Sequence, residues 1–128
     1  MKNDISSILK EKVLVFDGAV GTEIYKKNFF VNTCFEELCL NNAEIIEGIH
    51  SSYLEAGADI ITTNSFGANR HKLSKFGLAE KTIAINMAAA KIARKVAGDR
   101  ALVAGSVGPT GKGDNDISKN AEILIEQI

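Results

Sequence analysis

Three short apolar runs, each stopping abruptly on polar residues or glycine, constrain this chain more than any other feature. Val13-Leu14-Val15-Phe16 stops on Asp17-Gly18, Ile60-Ile61 on Thr62-Thr63-Asn64, and Ala101-Leu102-Val103-Ala104 on Gly105-Ser106. Such runs predict strands buried on both faces, as in parallel sheets. Between them the apolar period becomes helical. Ile45, Ile46, Ile49, Tyr53 and Leu54 share one face of a helix beginning at Asn41, where Glu44 approximates a capping box and Gly57 supplies the stop. Ile85, Ala89, Ile92 and Val96 do the same over residues 80–97, with Gly98 as the stop.

Ile5, Ile8 and Leu9 behind Asp4 predict a short helix covering the amino-terminal end of the sheet. Ala121, Leu124, Ile125 and Ile128 predict a last helix that starts at Ser118 and runs to the end of the chain. Residues 25–40, carrying Phe29, Phe30, Cys34 and Phe35, read as a long loop with one helical turn around Glu36-Glu37-Leu38. Strands alternating with helices predict βαβ units and a parallel sheet. Links that enter strands are short (Gly57 to Ile60, Gly98 to Ala101) and those that leave them are long, which gathers the long loops on one face. The predicted fold class is α/β, the N-terminal part of a (β/α)8 TIM barrel with about three βα units. A complete barrel takes about 250 residues. The expectation is that residues 1–128 form the first part of one barrel domain, the remainder being absent and two sheet edges open to self-association.

Composition narrows the function. Fifteen Lys and Arg against sixteen Asp and Glu give a net charge of -1, with no basic stripe, so no nucleic-acid partner is expected. No apolar run approaches the roughly 20 residues a membrane span needs. Met1-Lys2-Asn3-Asp4 does not open a signal peptide, and two cysteines are too few for a disulfide framework, so a cytoplasmic location is expected.

Ligands of α/β proteins bind at the carboxyl ends of the strands. There the chain gathers Asp17-Gly18, Thr63-Asn64 and Gly105-Ser106. The set suits a small zwitterion: Asp17 or Glu23 for an ammonium, backbone N–H groups and Thr22 for a carboxylate. Equally, Asp17 could serve only as a cap, and Thr63 and Asn64 only satisfy loop backbone. Phosphate is excluded by spacing. Five residues separate Gly105 from Gly111 where a Walker A loop has four, Lys112 is followed by Gly113, and Pro109 removes an N–H. Gly18, Gly21 and Glu23 do not form G-x-G-x-x-G either. Cys34 and Cys39 stand five apart, outside common zinc spacing, and His50 and His71 read as structural or solvated.

Four blocks, in order, resemble the homocysteine S-methyltransferase family. They are Asp17-Gly18-Ala19-Val20-Gly21-Thr22-Glu23, Asn32-Thr33-Cys34-Phe35-Glu36-Glu37-Leu38, the stretch from Tyr53 to Asn69, and Val103-Ala104-Gly105-Ser106-Val107-Gly108-Pro109-Thr110-Gly111. The resemblance implies a barrel that binds homocysteine at its strand ends. It places Asp17, Gly18, Ala19, Thr22, Glu23, Thr63 and Asn64 on the substrate-facing rim. It also implies zinc held by three cysteines, whose family positions fall beyond Ile128, and Cys34 matches a loop position instead. The implied methyl donor is methylcobalamin or methyltetrahydrofolate, presented by a donor domain or as a small molecule. After Gly111 the likeness weakens, because Lys112 and residues 113–116 are short and polar.

The function expected is therefore methionine synthesis by homocysteine S-methyltransfer in a full-length protein, with no catalytic or metal residue on these 128 positions. The alternative is a non-catalytic truncated barrel that binds a small molecule or self-associates. Metal analysis of the purified chain is expected to find no stoichiometric zinc; zinc bound through Cys34 and Cys39 would contradict this.

Overall fold

The computed structural model describes residues 4–29, 32–112 and 117–128, and at 117–119 the backbone alone. Phe30 and the polar stretch 113–116 lie outside the described residues.

Asp4 caps α1 (Ile5–Glu11), its carboxylate accepting from the Ser6 N–H. A short helix the sequence did not announce follows, α2 (Val20–Tyr25), and the helical turn expected around Glu36-Glu37-Leu38 leads into α3 (Leu38–Asn41). The expected long helix is α4 (Ala43–Glu55), beginning after Asn42, whose side chain makes no capping bond. Gly57 follows it at φ 101°, a conformation costly for any residue with a Cβ. Strand β1 (Ile60–Thr62) comes next, then α5 (Arg70–Ser74), capped by the Asn69 side chain on the Lys72 N–H. A 3₁₀ turn (Ala79–Lys81) leads into α6 (Thr82–Ala97), then β2 (Leu102–Ala104) and α7 (Ile117–Ile125). The last helix stops three residues before Ile128 instead of running through it, and a turn closes the chain.

Strands β1 and β2 are parallel, with Ile60 opposite Leu102 and Thr62 opposite Ala104. Both long helices pack on the sheet and on each other. Ile24, Leu38, Ile46, Ile49, Ala89 and Ile92 form the main buried cluster between α2, α3, α4 and α6. Leu54, Ile61 and Ala93 join the helices to the sheet. The apolar faces read from sequence on α4 and α6 are therefore the faces that are buried, whereas those read on the first and last helices are not: Ile5, Leu9, Ile125 and Ile128 are exposed, because nothing among the described residues packs over them. Among the described residues no helix is long and apolar enough to cross a membrane.

Two of the three apolar runs depart from expectation: β2 is half-buried along its length, having a strand neighbour on one side only among the described residues, and the first run departs further. Residues 13–16 are not a strand buried on both faces: Phe16 makes a single parallel bridge to Ile60, and Val13 and Val15 are 85% and 55% exposed. Among the described residues this run has a neighbour on one side only, so its other side meets solvent. Backbone bonds hold it where they can. The Val15 carbonyl accepts from the N–H groups of Asp59 (2.8 Å) and Ile60 (3.2 Å), and the Asp17 N–H donates to the Ile60 carbonyl (2.9 Å). Two carboxylates extend this pairing. Asp59 accepts from the Val15 N–H at 3.0 Å and from the Lys12 ammonium at 2.7 Å, and these bonds, Lys12 first, hold its carboxyl below the usual range. Asp17 reaches the other way, accepting from the Thr62 N–H at 3.0 Å and the Thr62 hydroxyl at 2.9 Å.

Asp17→Ala is expected to lower stability by about 1–3 kcal/mol, because it strands a partly buried N–H. Asp17→Asn is expected to cost less, since the amide can accept from the N–H and donate to the hydroxyl oxygen. Denaturant midpoints check the order; equal losses would contradict it.

Candidate functional site

The three strand ends meet. Gly18, Ala19, Thr63, Asn64 and Ser106 share the wall of a cleft of about 400 Å³, closed on another side by Phe35, Glu36 and Phe66. Gly18 is required by space: a Cβ there would sit 2.7 Å from the Tyr53 ring. That ring is fixed, because its hydroxyl donates to the Ala19 carbonyl at 2.8 Å. Side chain and backbone thus lock the first turn against α4.

The polar residues that end β1 spend their bonds on neighbouring loops. The Thr63 hydroxyl lies 2.6 Å from that of Ser65 and accepts from the Ser106 N–H at 2.9 Å. Ser65 in turn donates to the Ser106 carbonyl at 2.8 Å. The Asn64 amide donates to the Phe35 carbonyl at 2.9 Å, which draws the loop before α3 over the cleft. Asp17 stands beside the cleft with both oxygens on Thr62. Thr22 and Glu23 are on α2 and are not among the lining residues; Thr22 is exposed, and Glu23 pairs with Lys26 at 2.7 Å.

Sequence reading placed neither Phe35, Glu36 nor Phe66 at the site. Phe35 and Glu36 belong to an aperiodic loop, and Phe66 follows β1 with no pattern of its own. Glu36 accepts from the Gly67 N–H at 2.8 Å. A Cβ at residue 67 would come within 2.6 Å of that oxygen, so a larger residue there would push the Glu36 carboxylate aside. Phe66 is 56% exposed at the cleft, with the Lys72 ammonium 5.2 Å from its ring centre.

A larger concavity, about 960 Å³, opens at the amino-terminal end of the sheet beside Ile8, Leu14 and Leu102. Most of its charges are spent on structure: Lys12 pairs with Asp59, Arg100 with Glu55, and Arg94 donates to the Gly98 and Ala101 carbonyls. His50 is fully buried on α4, and neither ring nitrogen has a hydrogen-bond partner among the described residues. Burial pushes its pKa down, against the pull of the Asp17 charge, and favours the neutral ring.

The family model described as homocysteine S-methyltransferase matches residues 14–126. The chain belongs to the homocysteine S-methyltransferase family. Methionine synthase of Mycobacterium tuberculosis is 32% identical over 118 residues, a match that covers 83% of this chain and 10% of that protein. Methionine synthase of Mycobacterium leprae is 33% identical over the same span. Among solved structures, the metallated form of the homocysteine methyltransferase MmuM from Escherichia coli superposes with a TM-score of 0.80 at 26% identity. That superposition covers 98% of this chain and 52% of MmuM, so the chain spans about half the length of that enzyme.

The family implies zinc, and the residues present do not fit it. Among the described residues no group of three or more His, Cys, Asp or Glu could hold a metal. Cys34 donates toward Glu36, and Cys39 is tied to the Asn64 carbonyl and amide. Burial first, with the Glu36 charge adding to it, pushes both thiols up to about 11.

These thiols set a pH dependence. Their folded pKa exceeds the unfolded value of about 8.5, so their contribution to stability is complete below that pH. It is lost as the pH rises through about 11. Native thiols are expected to resist a disulfide reagent at pH 8 and to react on unfolding; rapid native reaction would contradict their burial.

Proposed function

We propose that residues 1–128 are the N-terminal part of a (β/α)8 barrel domain, and that the cleft binds homocysteine in a methyltransferase that makes methionine. One observation carries this reading. The family model runs from residue 14 to residue 126, and the strand ends it spans converge on one cleft at the carboxyl edge of a parallel pair.

In this reading Gly18, Ala19, Thr63 and Asn64 shape the substrate wall. Asp17 fixes Thr62, and with it the exit of β1, while Thr22 and Glu23 flank the opening from α2. Substrate is oriented by a wall whose own hydrogen bonds are already satisfied, so little reorganisation accompanies binding. The homocysteine thiol loses its proton and forms the new S–CH3 bond as the donor's bond to that methyl breaks. Zinc and the donor, methylcobalamin or methyltetrahydrofolate, are held in this reading by residues outside 1–128.

The exposed edge at Val13, Val15 and Phe16 favours a second reading, a self-associating module without catalysis. Methyl transfer from a donor to homocysteine by the full-length protein separates the two. Ala19→Phe fills the cleft from an exposed position and is expected to lower kcat/KM for homocysteine by about 100-fold, the cost of a displaced substrate. Its melting temperature is expected to hold. A full-length protein without homocysteine-dependent transfer would overturn the proposal.

A further inference from the structure

Several carboxylates of the chain already have a cation. Glu23 pairs with Lys26, Glu37 with Lys81, Glu47 with Lys95 and Glu126 with Arg70. Asp17, beside the cleft, gives both oxygens to Thr62.

Glu36 differs. Among the described residues lining the cleft it alone carries an ionisable side chain, and no Lys, Arg or His among them pairs with it. Its donors are one backbone N–H, from Gly67 at 2.8 Å, and one thiol, from Cys34 at 3.7 Å. A carboxylate offers about four lone-pair directions, so at least two remain open. Its negative charge is felt at Cys34 and Cys39, where it helps hold both thiols protonated. A part-buried carboxylate without a cation at the wall of a cleft is costly unless a ligand supplies the cation.

Resting on the homocysteine reading, we infer that Glu36 is the specificity residue that receives the substrate's ammonium group. The Gly67 N–H fixes one carboxylate oxygen, which turns the remaining lone pairs toward the cleft. The ammonium then forms a charge-assisted hydrogen bond at a wall that Phe35 and Phe66 share. Glu36 would thereby select amino-acid thiols over thiols that lack the amine.

The test compares homocysteine with 4-mercaptobutanoate, the same molecule with hydrogen in place of the ammonium. Binding to the 128-residue chain is followed by amide NMR, and the Glu36 carboxyl carbon is observed directly. Homocysteine is expected to bind about 10-fold or more tightly than its analogue, the effect of one charge-assisted hydrogen bond. The Glu36 carbon is expected to move with homocysteine alone. Glu36→Gln, which can still accept from the Gly67 N–H, is expected to erase the preference and leave affinity for 4-mercaptobutanoate unchanged. A preference that survives in E36Q, or a Glu36 carbon that stays still, overturns the assignment to Glu36 while leaving the homocysteine reading in place. Shifts at residues 18–21 from neither thiol overturn both. Should E36Q not fold, the carbon shift in the wild-type chain decides.

Discussion

Two carboxylates hold together what the backbone ladder cannot. The segment at residues 13–17 has a single strand neighbour, so it gains few ladder bonds, and its outer side is wet. Asp59 reaches back to the Val15 N–H at one end of the pairing, and Asp17 reaches forward to Thr62 at the other. Each makes hydrogen bonds that a charged acceptor strengthens, and each fixes backbone, not merely another side chain. The position of Thr62 then sets Thr63, Asn64 and Ser65, whose side chains bind the loops beyond β2 and before α3. The cleft is in this sense downstream of Asp17.

The two ends of the sheet show why chemistry belongs at one of them. At the amino end the concavity is larger, but most of its charges neutralise one another or bind main chain. At the carboxyl end the walls are glycine, hydroxyl, amide and aromatic groups, with Glu36 as the charge left over. Size alone would have favoured the amino end. What distinguishes the smaller cleft is that its polar groups converge from separate parts of the chain, and that close packing of Gly18 on Tyr53 and of Gly67 on Glu36 fixes their positions.

Periodicity revealed the parts of the fold that are buried. The stripes on α4 and α6, the Gly57 and Gly98 stops, β1 and β2 all stand close to where apolar spacing put them. At residues 13–16 the expected strand is reduced to one bridge at Phe16 and its burial is lost, because both depend on neighbouring strands that these residues do not specify. The short helices α2, α3 and α5 carry too few turns to show a period. At the site, Gly18, Thr63 and Asn64 stood out because a strand ended on them. Glu36 did not, since its place over the cleft comes from the Asn64 bond to the Phe35 carbonyl, a contact between residues far apart in sequence.

The central claim is that the cleft at the carboxyl edge is a homocysteine site. Amide hydrogen exchange of the chain, with and without homocysteine, tests it most directly. Protection is predicted at residues 18–21 and 63–67, where the cleft wall and its backbone bonds lie, with none at residues 4–12 and 98–102 around the amino-terminal concavity. Protection confined to that opposite end, or none anywhere at saturating homocysteine, would contradict it.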